Sequence, residues 1–386
     1  MLNLPYENAL CTVVDEQKIK RIHKKNDVIV FGAGESGAWV VKLLRRYGIE
    51  PVCLCDNYEK KWGKQKCGLM IYSFYDAIKK YPNAAICIGS MWSEEKTEQI
   101  RRYDVGLLPE VYDLLTSMAW ETSMKSYLSE EENYIKGNEK EFEGLFTSLA
   151  DETSKETLLG ILSYRLTRDK KYIKKIRTNN TIYFDEELFD EDARRRIATG
   201  TIVDGGGFDG DTIESMIDNF GTDISLKIHT YEADDVNCKQ IIDKIDRGKY
   251  RGHDVTVHCA ALWDKAGERL DFDGNGLSGA VKQNETSADN RGAVISETID
   301  AGRLSKVSFI KMDIEGAERH ALAGAEATIK RDKPVLAICA YHLQDDLLVL
   351  ADSINSLGCG YKLYLRQYML SAGDTVLYAI PPEEGK

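Results

Sequence analysis

Three absences narrow the function of this chain before any motif is considered. It has no net positive charge: 51 Lys and Arg stand against 63 Asp and Glu, a formal charge of −12. Like-charge repulsion would oppose encounter with nucleic acid or an anionic membrane, so neither is expected as a partner. The basic run Lys170, Lys171, Lys174, Lys175 and Arg177 reads as a solvated helix face. Second, no apolar stretch approaches the ~20 residues that cross a bilayer. The opening MLNLPYENALC also lacks a basic segment followed by an apolar one, so no leader peptide is expected. Third, the nine cysteines include no CxxC pair and no Cys/His cluster at zinc spacing. Cys87, Cys259 and Cys339 sit in apolar runs, where a free thiol behaves as a small buried hydrophobe. The expectation is a reduced, soluble, cytoplasmic chain without a metal centre.

At 386 residues with 43% apolar content, the chain is long enough for two cores. Three regions differ in pattern. Residues 1–116 alternate strands (Val28–Phe31, Pro51–Cys55, Ala84–Ile88) with helix patterns such as Glu35–Tyr47, which predicts a parallel α/β unit. Residues 117–198 are charge-rich, with apolar residues recurring at three and four over Ala119–Lys136, Glu139–Ala150 and Lys155–Thr167. They read as a helical connector, and Asp151–Ser154 offers an N-cap to its last helix. Residues 199–386 return to α/β, with strands at Thr201–Gly205, Lys227–Ala233, Val255–Leu262, Phe309–Ile314 and Pro334–Tyr341. Tyr361–Tyr368 and Thr375–Pro381 close the chain as an antiparallel hairpin around Ser371–Asp374. The predicted class is α/β. A Rossmann-like carboxyl-terminal sheet, mostly parallel with an antiparallel last strand, is joined by the connector to a smaller Rossmann-like amino-terminal domain.

The run TIVDGGGFDGDT, Thr201–Thr212, is the most informative stretch. A β-branched strand ends in Asp204, and Gly205, Gly206 and Gly207 then let the backbone approach a ligand closely. The following helix aims its free N–H groups into the same crevice. Asp209 and Asp211 would repel a pyrophosphate, and the G-x-G-x-x-G spacing is missing. A ligand with hydroxyls and positive charge fits better, and S-adenosylmethionine (SAM) is such a ligand. Glu232 ends the second strand on the same sheet edge, where a carboxylate can accept two hydrogen bonds from ribose hydroxyls.

A second constellation is FIKMDIEGAERHALAGAEATI, from Phe309. Asp313 ends an apolar strand and Glu315 follows two residues on, so both carboxylates can face one cleft. Ala317–Lys330 reads as one helix, with Glu318 complementing its dipole. No further ligand at recognisable spacing supports a metal there. His342 falls after the strand PVLAICAY, at the same edge, and titrates near neutrality as a general base would.

Thr201–Thr212, Tyr231-Glu232, the run Cys259–Leu262 and above all IKMDIEGAE at Ile310–Glu318 resemble the FkbM family of SAM-dependent O-methyltransferases. The likeness spans roughly 181–381. It implies a class I methyltransferase fold and methyl transfer to a hydroxyl of a sugar, glycan precursor or secondary metabolite. It further implies that Asp204, Gly205, Gly207, Asp211 and Glu232 hold SAM, with Ala261 and Leu262 near the adenine. Asp313, Glu315 and His342 would be the catalytic candidates. Many members carry an acidic residue where this chain has Cys339-Ala340-Tyr341-His342.

In the amino-terminal region, VIVFGAGESG matches G-x-G-x-x-G through Gly32, Gly34 and Gly37, with Asp56 about 20 residues on. This second nucleotide site reads three ways: a nucleotide-sugar or mononucleotide site, a NAD(P) site, or an inert packing or homo-oligomerisation domain. Two rival functions follow. One is a NAD(P)-dependent oxidoreductase or epimerase, for which Tyr75 and Lys79 offer a Tyr-x-x-x-Lys spacing like that of short-chain dehydrogenases; here the pair precedes the third strand rather than following several more, which favours chance spacing. The other is a non-catalytic nucleotide-binding scaffold.

Overall fold

The computed structural model describes residues 2–6, 22, 27–90, 93–103, 111–113, 122–167, 169–221, 224–273, 280–283, 293–370 and 373–382. Cys11, the start of the Ala119–Lys136 helix and Ser371-Ala372 of the closing loop lie outside them. The chain divides into two compact units. One comprises residues 3–137 and 161–174; the other comprises 1–2, 138–160 and 175–386. No described helix is long and apolar enough to cross a membrane.

The first unit is built on strands β1 (Val28–Phe31), β2 (Cys53–Cys55), β3 (Gln65–Lys66), β4 (Leu69–Tyr72), β5 (Ala85–Ile88) and β6 (Val111–Asp113). Their order is β3-β4-β2-β1-β5-β6, parallel except for the short β3–β4 pair. Every residue of β1 is buried because helices cover both faces, as in a doubly wound sheet. Val28 and Val30 pack with Val40, Val41 and Leu44 of α1 (Glu35–Arg46). Ile29 and Phe31 pack on the opposite side with Phe74 and Ile78 of α2 (Phe74–Lys80) and Ile100 of α3 (Ser93–Arg102).

Five helices follow: α4 (Thr122–Gly137), α5 (Glu139–Ser148), α6 (Glu152–Thr167), α7 (Lys170–Ile176) and α8 (Glu191–Ala198). Asp151 begins α6 as expected, its Oδ1 accepting the Ser154 N–H at 2.7 Å.

The second unit carries β7 (Thr201–Gly205), β8 (Lys227–Tyr231), β9 (Asp254–His258), β10 (Ala261–Leu262), β11 (Arg269–Asp273), β12 (Ala280–Gln283) and β13 (Ala293–Glu297). After these come β14 (Val307–Met312), β15 (Val335–Cys339), β16 (Lys362–Gln367) and β17 (Thr375–Ile380). The main sheet runs β16-β17-β15-β14-β7-β8-β9. Only β17 breaks the parallel sense, pairing antiparallel to both β15 and β16. The chain goes outward from β7 to β9 and then returns to start β14 on the other side of β7. That reversal is a topological switch point, where α/β sheets open a crevice at their carboxyl ends. Helices α9 (Asp211–Phe220) and α10 (Asp235–Asp246) cross over between the early strands. Beneath α9, an edge-to-face aromatic stack of Phe184, Phe220 and Phe309 fills the core.

Three expectations are corrected. Val255–Leu262 is not one strand: it breaks at Cys259-Ala260, and β10 joins β13 in a separate sheet ordered β10-β13-β11-β12. Alternation alone does not reveal such a change of partner. Ala317–Lys330 is two helices, α11 (Glu318–Ala323) and α12 (Glu326–Asp332). They part at Gly324, where a Cβ would lie 2.0 Å from the Trp263 carbonyl oxygen. Cys259 is not a free thiol but is disulfide-bonded to Cys238, their Cα atoms 5.8 Å apart. Packing of α10 against β9 brings the two together, a proximity the sequence does not announce.

The glycines of the amino-terminal fingerprint differ in what surrounds them. A Cβ on Gly37 would meet the Gly32 carbonyl oxygen at 1.8 Å, whereas Gly34 has open space. Gly37→Ala is therefore expected to destabilise this unit by at least ~1–3 kcal/mol through overpacking. Gly34→Ala, at the N-cap of α1, should cost less than about 1 kcal/mol. Urea unfolding midpoints compare the two; equal losses would contradict the packing role.

Candidate active site

At the switch point lies a cavity of about 360 Å³, walled by the ends of β7, β8 and β14 and by β10. Backbone strain concentrates around it. Among the described residues, eight non-glycines have positive φ, and four of these line this cavity: Tyr183 (66°), Phe208 (45°), Glu315 (56°) and Asp374 (55°). Left-handed backbone at residues with side chains is costly and gathers where function holds it.

The floor is set by one buried pair. Lys311 of β14 and Asp204 of β7, adjacent in parallel register, are almost fully buried and meet at 3.2 Å. Lys311 Nζ also donates to the carbonyl oxygens of Gly205 (3.0 Å) and Gly206 (2.6 Å), and Thr230 donates its hydroxyl to Asp204 (2.9 Å). Burial opposes the charge on Lys311, but Asp204 and Asp313 outweigh it and raise its pKa. Gly206 (φ 81°) carries the chain so near β14 that a Cβ would lie 1.9 Å from the Asp313 carbonyl oxygen.

The predicted cofactor residues divide accordingly. Asp211, Glu232, Ala261 and Leu262 line the cavity. Asp204, Gly205 and Gly207 are not on its wall. Asp204 is engaged with Lys311 beneath it, and a Cβ on Gly207 would meet the Thr230 hydroxyl at 2.2 Å. Glu232 is clamped by backbone donors: Oε2 accepts the Phe208 N–H and Oε1 the Asp234 N–H, both at 2.7 Å. Burial raises its pKa against these bonds.

Opposite stands an acidic wall. Asp313 and Glu315 both face the cavity, with Tyr341, Tyr183 and Asp374. Tyr183 donates its hydroxyl to Asp313 Oδ2 at 2.8 Å, and Tyr341 reaches Oδ1 at 3.3 Å. His342 sits behind the wall, its side chain 7% exposed, with Nε2 3.3 Å from Asp313 and 3.5 Å from Glu315. Its Nδ1 is 3.0 Å from Glu318, which is wholly buried. Burial disfavours the imidazolium, yet Asp313 and Glu318 override it and raise His342 to about 10. Asp313, raised by burial alone, is held well below the carboxylate range by His342 and Lys311. Burial raises Glu315, and burial with the Asp313 charge lifts Asp374 to about 6.

Sequence reasoning gave no role to Lys311 or Asp374, and assigned Glu318 to its helix dipole alone. Lys311 is the one charged residue inside an apolar strand, VSFIKM, and that was its signal. Glu318 does accept the Ile314 N–H at 2.9 Å, but it also faces His342.

In the other unit, Asp56 has partners within its own domain. Its carboxylate accepts the Ala33 N–H (2.7 Å) and Tyr58 N–H (2.9 Å) and pairs with Lys61 (3.1 Å). Gly32 (φ 128°) and Gly37 bring α1 against the loop at Gly89. Tyr75, on α2, is 54% exposed.

Comparison with known proteins agrees with this architecture. The model of the methyltransferase FkbM domain matches residues 249–374. No curated protein sequence matches the chain. The crystal structure of methyltransferase FkbM from Methylobacillus flagellatus KT is similar over 94% of this chain and 92% of its own, with TM-score 0.62 and 23% identity, which establishes a shared fold. Precorrin-6y C5,15-methyltransferase from Geobacter metallireducens GS-15 overlaps 53% of this chain and 93% of its own at 12% identity and TM-score 0.30.

Removing one member of the buried pair leaves an uncompensated charge. Lys311→Met is expected to cost ~3–5 kcal/mol, and adding Asp204→Asn should recover part of it, since a neutral amide needs no counter-charge. Chemical denaturation of both variants checks this; no recovery would show that Lys311 acts independently of Asp204.

Proposed function

With a methyltransferase FkbM domain at residues 249–374 as the premise, we propose that the chain is a SAM-dependent O-methyltransferase. Its acceptor is a hydroxyl of a sugar, glycan precursor or secondary metabolite. The observation that carries this reading is Glu232, a buried carboxylate on the wall of the switch-point cavity with each oxygen fixed by a backbone N–H. Its remaining lone pairs suit a vicinal diol and would repel a phosphate.

The wall chemistry fits SAM as a whole. Ala261 and Leu262 offer an apolar face for an adenine, Asp211 and Asp313 offer carboxylates to an ammonium, and Gly206 contributes backbone without a side chain to the same wall. When bound, SAM supplies a methyl group on a cationic sulfur. The residues' task is then to align an acceptor oxygen, and positioning of this kind contributes on the order of 7–11 kcal/mol.

The acceptor proton goes to a pocket carboxylate. Glu315 suits this role: it faces the cavity, and burial raises its pKa toward that of a useful base. Asp313, kept ionised by His342 and Lys311, is a weaker base and serves to orient and to balance positive charge. His342 in its imidazolium form has no lone pair to accept a proton, so it acts by holding the two acids in place.

Isothermal titration is expected to show SAM and S-adenosylhomocysteine binding, lost in Glu232→Ala. NAD⁺ binding in place of SAM would sink the proposal. Asp313→Asn, Glu315→Gln and His342→Gln should retain SAM binding. The variant lacking the base is expected to lose ~10²–10⁴-fold in turnover, scored as S-adenosylhomocysteine release over an acceptor screen. Normal turnover in all three would remove the acidic wall from the chemistry.

A further inference from the structure

One wall of the cavity is closed by a covalent bond that methyl transfer does not use. Cys238 of α10 and Cys259, in the break between β9 and β10, are joined by a disulfide across 21 positions of sequence. Residues beside each cysteine line the cavity: Asp234 and Asn237 before Cys238, and Ala260, Ala261 and Leu262 after Cys259. Cys238 is wholly buried, whereas Cys259 is exposed.

Hydrogen bonds complete a ring through that bridge. The Glu232 N–H donates to the His258 carbonyl oxygen at 3.0 Å, one residue before Cys259. Glu232 Oε1 accepts the Asp234 N–H at 2.7 Å. Asp234 in turn caps α10, its Oδ1 accepting the Val236 and Asn237 N–H groups at 2.7 and 3.0 Å. The Cys238 N–H then donates to the Asp234 carbonyl oxygen at 2.8 Å. Glu232 therefore sits in a circuit closed by the disulfide, whose other non-local links are hydrogen bonds of modest individual worth. Opening the disulfide leaves α10 and the segment after β9 joined by packing and those bonds alone, which lowers the free energy of local opening.

We propose that thiol–disulfide exchange at Cys259 switches this side of the cavity between a fixed and a loosened state. The co-reactant is a low-molecular-weight thiol or dithiol. Its thiolate attacks Sγ of Cys259, the exposed partner, forming a new S–S bond there. The Cys238–Cys259 bond breaks, and its electron pair leaves on Cys238, which takes up a proton. A second thiolate then displaces Cys259 from the mixed disulfide. The bridge is reduced by two electrons while two thiols are oxidised to one disulfide. Without the bridge Glu232 is held less firmly, and affinity for a ligand it binds falls. The affinity effect rests on the methyl-transfer reading; the loosening of the wall does not.

The full chain is compared in its oxidised form and after treatment with dithiothreitol, with thiol labelling under denaturing conditions to follow the gain of two thiols on reduction. Calorimetric titration with S-adenosylhomocysteine is expected to give an affinity on the order of 5–150-fold weaker in the reduced form, the usual range for coupled sites. Linkage requires the reverse as well: bound S-adenosylhomocysteine should make the bridge harder to reduce by the same factor, read over a dithiothreitol redox series. In ligand-free protein, amide hydrogen exchange should rise on reduction at residues 232–238 and 258–262. Cys259→Ser should behave as the reduced form and ignore dithiothreitol, while Cys359→Ser, at a free thiol, keeps the full response. The main comparison is made on the unaltered chain, so it holds even if Cys259→Ser folds poorly. Equal affinity of the two forms, or no gain of two thiols, would overturn the switch. If neither form binds S-adenosylhomocysteine, the methyl-transfer reading fails and hydrogen exchange decides. A rise confined to those two segments then upholds the switch, and unchanged exchange overturns it.

Discussion

The buried pair of Lys311 and Asp204 is the contact on which the geometry of the second unit rests. It joins the two strands between which the sheet reverses its order, and the ammonium also gathers the carbonyl groups of Gly205 and Gly206. An ion pair this deep is weak evidence for stability, because desolvation offsets much of its attraction. Its consequence is positional. With the glycine loop tied to β14, the chain is bent into the crevice, and Glu232 finds the Phe208 N–H that holds one of its oxygens.

The same cation reaches the chemistry. Lys311 and His342 are the positive groups that stabilise Asp313, so an acidic wall can stay charged at the edge of an apolar sheet. The carboxylates then differ by environment: Asp313 is held low by its neighbours, while Glu315 and Asp374 are raised by burial and mutual repulsion. Groups of one type with separated proton affinities can divide the tasks of orienting a substrate and taking its proton. The left-handed backbone at Glu315 and Asp374 is the local cost of aiming those side chains inward.

Much of the fold was legible because its signals are local. Buried parallel strands read as short β-branched runs, and the closing hairpin was marked by its short loop. The second sheet, β10-β13-β11-β12, was not, since its pairing joins residues some thirty apart and includes a strand that changes partners after His258. The break at Gly324 and the Cys238–Cys259 bridge were hidden for the same reason: each depends on what another segment brings alongside. In the first unit, Gly32 and Gly37 of the G-x-G-x-x-G lie against neighbouring backbone, and Asp56 accepts the Ala33 N–H, contacts that no local pattern announces.

The sequence by itself determined which residues reach the carboxyl edge of the main sheet: Asp204, Glu232, Asp313, Glu315 and His342 each stand at or just past a strand end. It could do so because strand ends are set by hydrophobic pattern and turn residues, both readable along the chain. Only the tertiary structure decided which of them meet open space and which are consumed inside. Asp204 is spent on Lys311 and His342 on Glu318 and Asp313, while Glu232, Asp313 and Glu315 face the cavity. That division depends on burial and on through-space charge, which follow from three-dimensional neighbours rather than from position in the chain.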